Sequence, residues 1–146
     1  MPVQPRPADI PRIRGALAFY RLFAYVTGGF LLLLCAEMVV RYGFGLDLEL
    51  GGDNGFLALT PREQVIGANL STGILIVHGW LYVVYLFSDF RLWILLLWPF
   101  TRVILIALGG VIPFLSFITE HFISRRVRAE LADLEGAMIV GNSRER

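Results

Sequence analysis

The chain has no lysine, a single cysteine and two histidines, and only 17% of its 146 residues are charged. The lone cysteine, Cys35, cannot form an intramolecular disulfide, and no Cys/His cluster has the spacing of metal ligands. The formal net charge is +1, so the basic excess of a nucleic-acid-binding protein is missing. These absences predict a chain without a disulfide framework, a metal, a bound cofactor or a nucleic-acid partner.

Long apolar runs are what the chain does have. Hydrophobic residues make up 56% of it, and the mean hydropathy is +0.66. The runs cover residues 17–40, 65–87 and 92–123, and about 18 apolar residues are enough to cross a hydrocarbon core of roughly 30 Å. The third run is too long for one upright helix, and Pro99 and Arg102 divide it into a lead-in segment and a crossing with a kink near Pro113. The sequence therefore predicts an all-α polytopic membrane protein with three transmembrane helices.

The remaining segments complete the predicted organisation. Residues 1–15, rich in proline and arginine, predict an extended arm before the three-helix transmembrane domain of residues 16–123. Residues 124–146 predict an amphipathic C-terminal helix. A loop rich in glycine and acidic residues, 41–60, joins helices one and two, and its alternating leucines fit either a short strand or a folded-back loop. The segment 60–63, Thr-Pro-Arg-Glu, is typical of a helix start.

Charge predicts the orientation in a bacterial inner (plasma) membrane. Six arginines fall on the side of the N-terminal arm and five on the other side. Because basic residues favour the cytoplasmic side, we expect a multi-pass protein with its N-terminus in the cytoplasm and its C-terminus outside.

Small residues at the start of the second run predict a helix-packing interface. Their spacing of four residues would let another helix approach closely. The predicted interface consists of Gly67, Ala68, Ser71, Thr72 and Gly73.

Three polar residues in the runs are the other candidates for a functional site: His78, Glu37 and Arg102. His78 lies near the middle of the second run, where ionisable groups are rare and often functional. A neutral imidazole bonded to a neighbouring helix fits this position, and so does a role in ligation or proton transfer. The other histidine, His121, is predicted roughly 12–15 Å away in depth, too far for one haem to bridge. No phosphate loop, nucleophile elbow or zinc motif is present, so we predict that the chain is not an enzyme.

Several short motifs resemble those of a family of small bacterial integral-membrane proteins classified only as a domain of unknown function. The resemblance covers about residues 17–123, and Thr27 departs from it because the family pattern has an acidic residue there. The motifs are Arg-Leu-Phe-Ala-Tyr at 21–25 followed by Gly28 and Leu31-Leu32, His78-Gly79, and Ile112-Pro113-Phe114.

The resemblance implies three transmembrane helices and no established activity. Small actinobacterial proteins of this kind are similar in character to accessory subunits of the respiratory cytochrome bcc–oxidase supercomplex. We therefore expect a non-catalytic accessory subunit whose partners are membrane lipids and other integral-membrane subunits, such as those of cytochrome bcc or cytochrome c oxidase. The alternative is a homo-oligomeric small transporter or channel, with His78 and the pair Ser71 and Thr72 lining a polar path.

Overall fold

The computed structural model describes the backbone of residues 5–144 and the side chains of residues 5–140. Its helices are α1 (Ile10–Val39), α2 (Leu70–Leu96), α3 (Phe100–Gly109) and α4 (Leu115–Arg144). Between α1 and α2 lie three strands, β1 (Leu46–Gly52), β2 (Gly55–Pro61) and β3 (Ala68–Asn69). They form an antiparallel sheet in the order β2–β1–β3. The all-α prediction is wrong on this point, and the alternating leucines of the loop belong to a strand.

Two helices, α1 and α2, are long and apolar enough to cross a membrane. They contain 30 and 27 residues, or roughly 45 and 40 Å of helix. Helix α1 begins inside the segment predicted as an extended arm, and Pro11 occupies its first turn, where the missing N–H breaks no helical hydrogen bond.

Helix α2 begins at Leu70 and not at the predicted start near Thr60. The side chain of Asn69 caps it by accepting the N–H of Thr72 at 2.9 Å. Thr60 and Pro61 instead complete β2, where Thr60 pairs with Asp47 of β1. The predicted start was wrong because a residue pattern that suits a helix cap also suits the end of a strand followed by the short 3₁₀ turn Arg62–Gln64.

The third predicted crossing is not a single kinked helix. Helix α3 has only 10 residues, about 15 Å, and cannot span a hydrocarbon core of roughly 30 Å. The chain then reverses through residues 110–114, where Phe114 has a φ of 65°. We call α3, this turn and α4 the helical hairpin. The structure therefore does not confirm a third crossing.

The turn of the helical hairpin lies beside the middle of α1 and α2. The Ser116 hydroxyl donates to the carbonyl of Ala24 in α1 at 2.7 Å, and the Tyr85 hydroxyl of α2 donates to the carbonyl of Ile106 at 2.7 Å. A Cβ on Gly110 would lie 2.4 Å from the Tyr82 ring, so the turn needs glycine there to pack this closely.

Both described ends of the chain lie at the same end of the bundle. Helix α4 runs antiparallel to α1, and Arg14 near the start of α1 forms an ion pair with Glu135 of α4. The sheet lies at the opposite end, where α1 finishes and α2 begins. This arrangement differs from the predicted topology, in which the N-terminus and the C-terminus lie on opposite sides. The main apolar core is at the end that holds the termini and includes Ile13, Tyr20, Tyr85, Leu92, Ile106 and Val127.

Candidate functional site

The sheet and its connection to α2, residues 46–69, form what we call the sheet cap, and the polar side chains within its strands β1 and β2 face inward. Asp47, Glu49 and Thr60 are buried, although they are the residues that alternate with leucines along the strands. Because successive side chains of a strand point to opposite faces, burying the polar set turns the leucines outward. The sheet cap therefore has the reverse of the usual arrangement, in which apolar residues face the protein interior.

Hydrogen bonds satisfy the inward-facing carboxylate of Glu49. It accepts from the Thr60 hydroxyl at 2.7 Å and from the backbone N–H groups of Ile66 at 2.7 Å and Gly67 at 2.5 Å. These bonds, first the one from Thr60 and then the one from Gly67, hold the pKa of Glu49 below its ordinary value of 4.5. We call Glu49 and these three donors the Glu49 cluster, and it ties the strand β1 to β2 and to the approach to α2.

The outward face of the sheet consists of leucines that the chain leaves partly or largely uncovered. Leu57 is 56% exposed and Leu59 is 51% exposed. The register pairs them with Leu50 and Leu48, so their side chains lie side by side on one face. We call this surface the leucine face; it consists of Leu46, Leu48, Leu50, Leu57 and Leu59.

The five residues predicted as a helix-packing interface do not share one helical face. Gly67 precedes α2 and belongs to the Glu49 cluster, and a Cβ there would lie 2.6 Å from the carbonyl oxygen of Leu50. Ala68 lies in β3, whereas Thr72 is exposed and Gly73 is half-buried on α2. Ser71 joins α2 to β1 and to α1, because its hydroxyl accepts the N–H of Leu48 at 2.9 Å and donates to Glu37.

Glu37 and Glu120 lie in opposite halves of the bundle. Glu37 is buried near the sheet cap, with Ser71 as its partner. Glu120 of α4 accepts from Arg21 at 2.7 Å and from the Tyr25 hydroxyl at 2.6 Å. The motif at 21–25 thus has a structural role, because two of its side chains bind the helical hairpin to α1.

Arg102 lies at the start of α3, away from the other candidate residues. Its guanidinium stands 5.1 Å from the centre of the Trp98 ring, and the Trp98 indole N–H donates to Glu130 at 3.0 Å. Within residues 5–144, no three His, Cys, Asp or Glu side chains come together as a set of metal ligands.

His78 belongs to a line of polar side chains on the face of α2 that packs against α1, which we call the polar stripe. The ring of His78 lies 6.5 Å from that of Tyr82, and the rings of Tyr82 and Tyr85 are 6.3 Å apart. Asp89, one turn beyond Tyr85, is only 1% exposed. The polar stripe consists of Ser71, His78, Tyr82, Tyr85 and Asp89.

Sequence reasoning missed Asp89 and its neighbour Tyr20 of α1. Asp89 falls between the second and third apolar runs, which end at 87 and begin at 92, but the structure continues α2 through this interval to Leu96. The spacing of four residues from Tyr85 to Asp89 is the signal that could have placed both on one helical face. Tyr20, fully buried, stacks on Tyr85 with ring centres 5.8 Å apart.

The fold defines a class: a helical protein with two candidate membrane spans, a small sheet at one end and a helical hairpin packed against the spans from the other. The model of the family described as "Domain of unknown function (DUF3817)" matches residues 17–125, so this chain belongs to that family. An uncharacterized protein of Mycobacterium tuberculosis (strain ATCC 25618 / H37Rv) is 34% identical over 120 residues, 82% of each chain. An uncharacterized protein of Mycobacterium leprae (strain TN) is 31% identical over the same share. No solved structure matches the chain.

Proposed function

We propose that this protein is a non-catalytic accessory subunit of a larger assembly in the bacterial plasma membrane, and that the leucine face is its docking surface. The observation that supports this proposal is the inverted sheet, which buries carboxylates and leaves leucines uncovered. Because Asp47 and Glu49 occupy inward positions of the sheet, Leu57 and Leu59 lie on its outward face without cover from the described part of this chain. A second apolar surface would cover them.

The proposed membrane insertion is supported by α1 and α2, which are long and apolar enough to cross. In this proposal the helical hairpin enters the membrane from one side only. The distribution of arginine supports an orientation with both termini in the cytoplasm. Of the arginines whose side chains the structure describes, two lie at the end of the sheet cap, Arg41 and Arg62. Nine lie at or toward the other end: Arg6, Arg12, Arg14, Arg21, Arg91, Arg102, Arg125, Arg126 and Arg128.

In this orientation the leucine face lies outside the cytoplasm, next to the membrane surface. Strand β2 is an edge of the sheet, so its outer backbone groups are free to pair with another strand. An apolar face beside an unpaired edge suits a partner that supplies both side-chain and backbone contacts. We propose an extracytoplasmic segment of another integral-membrane subunit as that partner.

The respiratory cytochrome bcc–oxidase supercomplex is the assembly we propose first, because small actinobacterial membrane proteins of this kind are similar in character to its accessory subunits. The mycobacterial relatives fit an actinobacterial membership. The test is purification of a tagged chain from native membranes in mild detergent, followed by mass spectrometry of what co-purifies. We expect cytochrome bcc and oxidase subunits with the wild-type chain. The double variant Leu57→Glu and Leu59→Glu is expected to lose them, because two carboxylates cannot be buried in an apolar interface without partners.

The matched control is Phe56→Glu, on the same strand but on the other face of the sheet, where Phe56 is 81% exposed. This variant is expected to keep the partner. Migration of the wild-type chain as a free monomer, or loss of the partner with Phe56→Glu but not with the leucine variant, would contradict the proposal.

The geometry does not favour the alternative of a homo-oligomeric channel. His78 and Ser71 are buried inside one chain, between α1 and α2, whereas Thr72 is exposed. These side chains therefore do not share an outer surface that several copies could enclose.

A further inference from the structure

The polar stripe extends through nearly the whole thickness of a membrane. Ser71 and Asp89 are 18 positions apart on one face of α2, which corresponds to about 27 Å at 1.5 Å per residue. A hydrocarbon core is roughly 30 Å thick. Ionisable side chains are costly inside a membrane, and a line of them marks an ion or proton pathway more often than a structural contact.

Helix α1 supplies polar groups at matching levels. Glu37 bonds to Ser71, and the Thr27 hydroxyl donates to the carbonyl of Leu81 at 3.3 Å, beside His78. Tyr20 stacks on Tyr85 near the other end. The protonatable groups thus lie at the interface of two helices within a single chain.

Several buried atoms of this line make no hydrogen bond within the described part of the chain. They are Nδ1 of His78, the hydroxyl of Tyr20 and both carboxylate oxygens of Asp89. Buried polar atoms are nearly always hydrogen-bonded, and each exception requires an explanation. These four atoms, on three residues along one line, have a common explanation if they exchange protons with one another or with water.

Charged groups elsewhere in the bundle do not neutralise Asp89. On α4, Glu120 is engaged by Arg21, Tyr25 and Ser124. On α3, Arg102 stands over the Trp98 ring. The neighbours of Asp89 are hydroxyls: its charge acts on Tyr20, Tyr82 and Tyr85, and Thr119 of α4 lies beside Tyr20 and Tyr85.

We propose that the interface of α1 and α2 is a proton path that joins Asp89, near the end with the chain termini, through the tyrosines to His78 and on to Glu37 below the sheet cap. In the structure the hydroxyls of Tyr85 and Tyr82 donate to the backbone carbonyls of Ile106 and Ala107. In the proposed transfer each hydroxyl turns away from its carbonyl, accepts the proton that comes from the side of Asp89 and releases its own proton toward the next acceptor. The transfer ends with the proton on an imidazole nitrogen of His78 and with Asp89 again a carboxylate. Each tyrosine is unchanged after the transfer, so protons and charge balance.

The step from His78 to the pair formed by Ser71 and Glu37 passes an apolar constriction. Two turns of α2, about 10.5 Å, separate His78 from Ser71. Buried Ile74 lies in this interval on α2, and buried Leu31 lies between Thr27 and Glu37 on α1. This constriction controls the path, because protons cross it only when water enters between the two side chains.

The experiment is proton flux into liposomes that contain the purified chain and an internal pH-sensitive dye, driven by a potassium diffusion potential. Wild-type protein is expected to carry a flux several-fold above that of protein-free liposomes. Asp89→Asn and His78→Phe are expected to abolish it, and Asp89→Glu to restore much of it. Ile74→Ala is expected to increase it, because a smaller side chain admits water to the constriction.

Asp53→Asn, in the exposed turn between β1 and β2, is the matched control for loss of a carboxylate and should leave the flux unchanged. Circular dichroism and gel filtration of each variant separate loss of the path from loss of the fold. If Asp89→Asn does not fold, His78→Phe and Ile74→Ala still decide the question by their opposite effects. Wild-type flux no greater than that of empty liposomes, equal flux in wild type and Asp89→Asn, or a sodium flux without a proton flux would overturn the proposal.

Discussion

Glu49 in the sheet cap and Asp89 in α2 are carboxylates buried to the same degree, each 1% exposed, but their surroundings differ completely. Glu49 accepts hydrogen bonds from one hydroxyl and two backbone N–H groups. Asp89 has no hydrogen-bond partner for either oxygen within the described residues. One carboxylate is surrounded by fixed donors, and the other by side chains that can themselves exchange protons.

The difference separates the structural role of Glu49 from the role in proton transfer that we propose for Asp89. A buried charge whose acceptor sites are filled holds elements together and is costly to remove. A buried carboxylate without a partner lowers stability, so its presence points to a role beyond the fold. The sheet cap is thus held together by Glu49, whereas the end of the bundle with the chain termini contains a group that the fold does not need.

The largest expected effect concerns the sheet cap and the end of the bundle with the chain termini, which the proposed topology places on opposite sides of the membrane. Alkaline phosphatase fused after residue 53 is expected to be active, and a fusion after residue 140 to be inactive, because in the proposed topology α1 and α2 cross the membrane and the helical hairpin returns to the side of the chain termini. Green fluorescent protein at the same two sites should give the reverse pattern. An active phosphatase at residue 140 would show that the chain crosses a third time, and it would contradict the placement of the sheet cap and residue 140 on opposite sides.

Replacing Glu49 by alanine is expected to open the sheet cap. The backbone N–H groups of Ile66 and Gly67 lose their acceptor, and Thr60 loses its own. Hydrogen exchange at these two amides should rise by about tenfold or more, since buried donors are left unpaired. The helical hairpin serves as the internal control, and an unchanged exchange rate at Gly67 would contradict the role assigned to Glu49.

The opposite result is expected at the other carboxylate. Asp89→Leu should leave the chain as stable as wild type or more stable, by up to about 1–3 kcal/mol, because it removes a buried polar group without a partner. Thermal unfolding in detergent measures this change. The same variant should lose proton flux. A gain in stability together with a loss of flux would support the different roles of Glu49 and Asp89. A large loss of stability would show that Asp89 has a structural partner.

The lowered pKa of Glu49 also predicts a pH effect that is confined to the sheet cap. Hydrogen bonds lower the pKa of Glu49 in the folded state. The contribution of Glu49 to the stability of the fold is therefore fully present above its unfolded pKa of 4.5, and it is lost as the pH falls through the lower folded pKa. Amide chemical shifts of Ile66 and Gly67 in micelles should follow this titration. Glu49→Gln should remove the pH dependence of both signals, and a transition above pH 4.5 would contradict the sign of the shift.

The smallest effect is expected from an ion pair at the surface. Arg14 and Glu135 join α1 to α4, but their side chains are 63% and 41% exposed. Arg14→Ala should therefore change the free energy of unfolding by about 0–1 kcal/mol. A larger loss in thermal unfolding would mean that contacts of the chain termini, and not only the buried core, stabilise this end of the molecule.

Part of this architecture follows from local sequence alone. The two long apolar helices, the unusual position of His78 and the absence of catalytic motifs are visible in residue order, because each depends on residues that are neighbours along the chain. Helix starts were less predictable, since Thr60 and Pro61 suit a cap in one context and a strand end in another. The resemblance at 21–28 was recognised from the sequence, but its reason, the binding of α4 through Arg21 and Tyr25, was not.

The sequence by itself therefore determined that this chain has three long apolar runs, few charges and one histidine deep in the second run. Only the tertiary structure decided that the third run folds back as a hairpin, that the sheet turns Glu49 inward and its leucines outward, and that Asp89 is buried without a partner. The physical reason is that hairpin reversal, strand facing and burial depend on contacts between residues far apart in the chain. Composition and spacing record which groups are present, but not which of them meet.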